Sequence, residues 1–308
     1  MCRFIQTLFH KRQMIKVPDR LGAGTEVETM PLTNLPTGAN PVEITRKPLQ
    51  IISASAQSVG LVRSHNEDTL FSLSAVRADG VDDMIYGVFI VADGMGGHDH
   101  GEEASRAAVQ AAANYLITRT YPRFLGTALE GEGEGESESL QEVMANAIKA
   151  SQRAVLSDAP GGGTTLTIAF VFGDLVTIGH VGDSRAYAMN GSGLAHPITR
   201  DHSFVQRLVE LQEITEEEAR THPNRNMLLK AVGQVETLDP DIFTFPLTRP
   251  GLLILCSDGL WGQVSDSVIT STILERRTCE EACHKLVDLA NEAGGPDNIS
   301  VILVDFPE

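Results

Sequence analysis

Residues 84–105 read MIYGVFIVADGMGGHDHGEEAS. From Met84 to Asp93 no charge appears before the closing aspartate, and β-branched and aromatic residues recur throughout. A run this short, apolar on successive residues, predicts a strand covered on both faces. Asp93-Gly94, a glycine cluster and two histidines follow. Glu102 and Glu103 then supply acids to the start of a helix near Gly101, where the helix dipole favours them.

The neighbouring segments repeat the pattern. TTLTIAFVF (164–172), Gly173-Asp174 and LVTIGHVGD (175–183) predict an antiparallel hairpin. RAYAMNGSGLAHPIT continues as a second hairpin about Asn190-Gly191, and GLLILCSD (251–258) and NISVILVDF (298–306) predict two more buried strands. Helical periodicity covers 101–121, 139–158, 265–276 and 279–294. Hairpins followed by helix pairs argue for α+β architecture, with antiparallel sheets stacked on each other and helices outside.

The chain has 308 residues, enough for one large domain. Its net charge is −17, which argues against nucleic acid and anionic lipid as partners, since both need a basic face. Residues 1–50 carry seven Lys/Arg against four Asp/Glu, a net of +3 that leaves −20 for the rest. The stretch 20–50 is rich in Gly, Pro and Thr and predicts a linker, so 1–50 is expected to be a largely disordered tail and 51–308 the folded domain. EGEGEGESES, beginning at Glu130, predicts a solvated acidic loop. No apolar run is long enough for a transmembrane helix, and the N-terminal stretch lacks the apolar core of a signal peptide. The cysteines, Cys2, Cys256, Cys279 and Cys283, form no paired CxxC, so a reducing cytoplasm is expected. Cys279 and Cys283 share a helix face, but two soft ligands do not make a zinc site.

Chemistry-bearing residues fall at strand boundaries. Asp93, Asp183 and Asp258 each follow an apolar run, Asp297 precedes one, and Asp68 closes RSHNED before TLFSL. Asp-Gly and Pro-Asp are ordinary turn formers, which explains any one of them locally. Together at one rim of a sheet core, they would form a carboxylate cluster that cations must neutralise. Oxygen-only donors select hard cations such as Mg2+ or Mn2+, which activate water and hold phosphate oxygens. Arg63 adds a guanidinium suited to bidentate phosphate recognition.

RSHNED, VADGMGGHDHGEEAS, GGTTLTIAFV, IGHVGDSRAY, ITRDHS, LLKAVG, LILCSDGLWGQVSD and GGPDNISVILV occur in this order. The set resembles the metal-dependent Ser/Thr protein phosphatases of type 2C (the PPM family) in their bacterial form, over roughly residues 52–306. The resemblance implies a four-layer α-β-β-α sandwich with a two-metal centre at one end of the sheets. By the same resemblance Asp68, Asp93, Asp258, Asp297 and the Gly94 carbonyl are metal ligands, and Glu67 holds water. Asp183 with Asp258 matches a third, weaker metal position. Arg63 matches the phosphate-binding arginine, and about 201–232 matches a flap beside the cleft. The implied reaction is direct attack on phosphorus by a metal-bridging water, with Mn2+ or Mg2+ as cofactor. The implied partners are phosphorylated proteins and a Ser/Thr kinase that the enzyme opposes, with the protein acting as a monomer.

One departure concerns the proton donor. Animal members often carry histidine two residues after the motif's aspartate, where this chain has Met95. A metal-bound water, His65 or His98 remain candidates to protonate the leaving group, whereas His100, His180 and His202 read as hydrogen-bonding or packing residues. Cys256, inside an apolar strand, reads as core. Two other readings are a phosphatase dedicated to an anti-sigma-factor-antagonist switch and a non-catalytic docking pseudophosphatase. Loss of an aspartate would mark the latter, and none is missing. GGGTT lacks the lysine of a nucleotide-binding loop.

Overall fold

The apolar run at the start of the quoted stretch forms β3 (Asp83–Met95), and its alternation sorts the molecule into layers. Tyr86, Val88, Ile90 and Ala92 face one core, built with α1 (Asp99–Phe124) and α2 (Leu140–Asp158). Ala104, Ala108, Ala112 and Leu116, four apart on α1, form the stripe that lies in this core. Ile85, Phe89 and Val91 face the other way, into a core shared with a second sheet. Both faces of the strand are therefore covered, as its lack of polar alternation predicts. The computed structural model describes residues 48–79, 82–96, 99–127, 138–190, 193–234 and 238–308. The expected N-terminal tail, most of the acidic loop, the Asn190-Gly191 turn and His98 fall wholly or partly outside these residues.

The sheet holding β3 also contains β2 (Asp68–Ala78), β5 (Leu166–Phe172), β6 (Leu175–Val181) and β9 (Asp241–Pro246), in the order β2-β3-β5-β6-β9, with the short β4 (Gly163–Thr164) beside the end of β3. The second sheet contains β1 (Ile52–Ser58), β7 (Arg185–Asn190), β8 (Ala195–Pro197), β10 (Gly251–Cys256) and β11 (Ile299–Phe306), in the order β1-β11-β10-β7-β8. The named pairings are antiparallel. The outer face of the second sheet, with Ile254, Cys256, Val301 and Leu303, is covered by α6 (Asp266–Leu274) and α7 (Cys279–Glu292). The result is the expected α+β sandwich of four layers.

The structure also differs from the sequence reading in places. β3 does not stop at Asp93: β5 pairs with it only as far as Val91, and β4 then takes over, opposing Gly94 with Thr164 and Met95 with Gly163. The first helix starts at Asp99, before Gly101. β9 was not anticipated, because it is an edge strand none of whose residues is fully buried. The segment 201–232 leaves and rejoins the sandwich through paired backbone bonds. His202 N–H donates to Gly182 O (2.7 Å), and Thr164 and Val232 exchange bonds of 3.0 and 2.9 Å. Between these ties lie α3 (Phe204–Glu210) and α4 (Glu216–Thr221), neither of which buries a residue fully. Among the described residues, no helix is long and apolar enough to cross a membrane.

Candidate metal centre

Extending the alternation of β3 by one step places Asp93 on the face that looks into the space between the sheets, after Ile85, Phe89 and Val91. Asp68 stands directly opposite it in the ladder, on the same face as Leu70 of β2. Like charges so placed oppose pairing, so the position needs compensation. The second sheet supplies part of it by the same rule. Leu253 and Leu255 of β10 lead to Ser257, while Ser300 precedes Ile302 and Val304 on β11. Both hydroxyls donate to Asp68 Oδ2, at 2.8 Å from Ser257 and 2.7 Å from Ser300, and Ser300 N–H donates to Ser257 Oγ at 3.0 Å. At this rim the sandwich exchanges its apolar filling for carboxylates and the hydroxyls that steady them.

Asp258 opens α5 (Asp258–Trp261) immediately after Ser257. Asp297 lies on the loop before β11, where its Oδ1 accepts from Asn298 N–H (2.8 Å) and its Oδ2 from Arg63 Nη2 (2.7 Å). Glu67 is held on the same side by His65 Nε2 (3.3 Å) and by Arg63 Nη1 (3.8 Å). Asn298 organises the loop beneath, accepting from Glu67 N–H and donating to the carbonyls of Val59 and His65. Asp183 follows β6, and its carbonyl accepts from Trp261 Nε1 at 3.0 Å. The structure thus gathers Arg63, His65, Glu67, Asp68, Asp93, Gly94, Asp183, Asp258 and Asp297 at one end of the sandwich. His98 lies outside the described residues.

Electrostatics identify what this end suits. Burial pushes the Asp68 carboxyl up to about 7, with Asp258 and Asp297 adding to the rise against the two serine bonds. Burial and then Asp297 push Asp258 up to about 6, although the Asp93 carboxyl, as the acid, donates to it. Asp93 and Asp183 are held well above the usual carboxylate range, again chiefly by burial. Asp68 Oδ1 and Asp258 Oδ1 are buried without a hydrogen-bond partner. Four carboxyls whose ionised forms are disfavoured, two of them with an orphaned oxygen and all of them hard donors, suit a small divalent cation. Among the described residues no three Asp, Glu, His or Cys side chains close around a single point, so the donors are neighbouring carboxylates rather than a finished cage.

Gly94 is sterically required. A Cβ there would overlap the Gly101 carbonyl and come within 2.6 Å of Glu67 O, which accepts from the Gly94 N–H. All of these obstacles are backbone. Gly94→Ala is expected to destabilise the fold by about 1–3 kcal/mol, the range for overpacking. Thermal melts should show a drop of several degrees, and activity should fall with it because Glu67 and the start of α1 must move apart.

Several residues were missed at the sequence level. Ser257 and Ser300 steady Asp68. Thr165 accepts from Asp93 N–H (2.8 Å) and hydrogen-bonds Ser184 (2.7 Å). Arg185 forks onto Asp201 (2.9 and 2.8 Å) and lies over the Trp261 ring, 3.6 Å from its centroid, so the root of the 201–232 segment is tied to the Asp183 turn. The available signal was a hydroxyl inside an apolar run, as in LCSD and NISVIL, since a buried polar group demands a partner. Two of the other histidines, His180 and His202, are buried and hydrogen-bonded, as their reading expected. His180 is buried between Thr167 and the Arg200 carbonyl, with burial and His202 pushing it down to about 3, and His202 accepts from Gly182 N–H. His100 is exposed. Cys256, Cys279 and Cys283 are buried in the apolar layer of α6 and α7.

Comparison with known proteins agrees with this geometry. The sequence profile of the family described as Protein phosphatase 2C matches residues 64–292. The serine/threonine phosphatase stp of Listeria monocytogenes is 36% identical over 246 residues, covering 80% of this chain and 92% of that protein. The crystal structure of the Mycobacterium tuberculosis serine/threonine phosphatase PstP/Ppp superposes with a TM-score of 0.68 at 31% identity, over 84% of this chain and 99% of that one. A crystal structure of the PstP catalytic domain in complex with two manganese ions gives 0.67 at 30% identity, over 84% of this chain and all of that one. With a profile match over most of its length and a relative above 30% identity covered almost end to end, the chain belongs to the protein phosphatase 2C family.

Proposed function

We propose that this chain is a metal-dependent protein serine/threonine phosphatase that hydrolyses phosphoserine and phosphothreonine by direct transfer of the phosphoryl group to water. The observation that carries the reading is the rim of buried, oxygen-only carboxylates beside Arg63, whose side chain is 46% exposed and faces a cavity. In this reading Asp68, Asp93, Asp258, Asp297 and the Gly94 carbonyl hold two cations, Mn2+ or Mg2+, and Asp183 with Asp258 offers a third position. Bound there, the cations neutralise the carboxylates, polarise the phosphate and make water a competent nucleophile at neutral pH. Glu67, fixed between Arg63 and His65, orients that water and accepts its proton. Arg63 grips equatorial phosphate oxygens through its fork of donors. In this reading His65, exposed and hydrogen-bonded to Glu67, returns a proton to the departing serine or threonine oxygen.

A covalent route through Cys256 or Cys283 is disfavoured. Cys256 and Cys283 are buried and pushed up to about 12, so neither is a thiolate at neutral pH. Buried free thiols also fit a reducing compartment, and we place the protein in the cytoplasm, acting as a monomer against a Ser/Thr kinase. Residues 51–308 form the catalytic domain, with 201–232 as its flap.

The test is direct. Purified protein should hydrolyse p-nitrophenyl phosphate and phosphothreonine peptides with Mn2+ or Mg2+, EDTA should abolish the activity, and added Mn2+ should restore it. Folded protein that binds Mn2+ yet turns over no phosphoester would overturn the reading.

A further inference from the structure

The cavity in front of the carboxylates encloses about 530 Å3 and extends from Asp258 and Asp297 to the flap. That volume holds a peptide side chain besides the phosphorylated one. Five arginines line it: Arg63, Arg185, Arg200, Arg220 and Arg225. Three are committed. Arg63 is paired with Asp297, Arg185 with Asp201, and Arg200 with Glu210. Arg220, in the last turn of α4, and Arg225, just beyond it, are both exposed. Neither guanidinium has an ion-pair or hydrogen-bond partner among the described residues.

Two unpaired cations on one wall of a cavity are unusual in a chain of net charge −17. The flap offers them acids close by. Glu216 lines the same cavity, with Glu217 next to it, and Glu218 is taken up in capping Thr215. The guanidiniums stand open to the cavity nonetheless. An acidic protein repels acidic peptides at long range, so a local cationic pair is what lets an anionic substrate segment settle. Arginine in particular grips a carboxylate or phosphate with two parallel bonds.

We propose that Arg220 and Arg225 form an anion subsite on the flap. It receives a second negative group of the substrate protein, a carboxylate or another phosphate, lying near the target phosphoserine or phosphothreonine. The flap thereby selects substrates by the charge flanking the reacting residue, while Arg63 and the carboxylate rim act on the scissile phosphate. This rests on the phosphatase reading above and adds to it the class of sequence preferred.

The test compares phosphothreonine peptides that differ at one position, scanned about four residues to either side, since an extended chain advances about 3.4 Å per residue. Each position carries Gln, Glu, Lys or phosphoserine, and kcat/KM is measured with Mn2+. The wild-type protein should favour at least one Glu or phosphoserine peptide about tenfold over its Gln counterpart, mainly through KM, with the preference shrinking at about 0.5 M NaCl. Preference for Glu assigns a carboxylate site, preference for phosphoserine alone a phosphate site, and either supports the proposal. Arg220→Ala with Arg225→Ala should bring the ratio close to one, and Arg220→Glu with Arg225→Glu should turn it toward Lys-flanked peptides. Equal rates on all peptides with wild-type protein, or a preference that persists in both double variants, would overturn the subsite while the phosphatase reading stands. If wild-type protein hydrolyses neither the peptides nor p-nitrophenyl phosphate, the phosphatase reading falls and takes the subsite with it.

Discussion

Asp258→Asn should lower kcat/KM for p-nitrophenyl phosphate at least about a thousandfold, equivalent to about 4 kcal/mol of transition-state stabilisation, and should leave the fold intact. Asp258 is where the rim's charges meet. Asp297 raises it, Asp93 donates to it, and it is the charge that most strongly raises Asp183. Its charge acts on both Asp93 and Asp183. The amide keeps the shape of the side chain but surrenders a charged oxygen donor, so cation affinity and activity should fall together. Stability should move the other way. Ionised Asp258 is costly where it sits, as its rise to about 6 records, so the cation-free variant should melt above cation-free wild type at about pH 7.5. A destabilised but active Asp258→Asn protein would refute the assignment, since only a structural role predicts that pair of results. Calorimetric titration with Mn2+ and thermal melts in EDTA separate the two effects.

How much was visible beforehand depends on the range of each interaction. The apolar run of β3 and the Gly173-Asp174 hairpin turn are local in origin, and both appear as read. Asp68, Asp93, Asp258 and Asp297 could be singled out because each adjoins an apolar run, a signal carried by a few consecutive residues. Their supports could not. Ser257 and Ser300 meet Asp68 only because two sheets stack with matching parity, and the partners lie 189 and 232 residues away in sequence. Arg185, Asp201 and Trp261 likewise come together from three separate segments. β9 escaped notice because half-buried edge residues give a weak pattern. The end of β3 was set too early for a related reason. An aspartate reads as a stop, whereas here β4 and the Gly94 N–H bond to Glu67 extend the strand past it.

The same carboxylates should make stability depend on pH and on divalent cations together. Asp68 and Asp258 have folded-state values of about 7 and about 6 against 3.8 for the unfolded chain. An acid raised on folding binds its proton more tightly in the native state. Its stabilising contribution is therefore complete below the unfolded value and is lost as pH rises through the folded one. For Asp68 alone the loss by neutral pH is on the order of 4 kcal/mol. His180 works in the opposite sense, since its folded value of about 3 means that stability falls as pH drops below the ordinary imidazole value. That contribution cancels when melts with and without a cation are compared at each pH. Cations take the place of the lost protons, so Mn2+ should raise the melting temperature little at about pH 5 and by many degrees at about pH 8. The widening should be shallower in Asp258→Asn, which has one carboxylate fewer to neutralise. A Mn2+ increment that is constant from pH 5 to pH 8 would mean that the cation binds away from these four acids. In that event the buried acids of the rim would be neutralised by protons alone, and the two-cation assignment would fall.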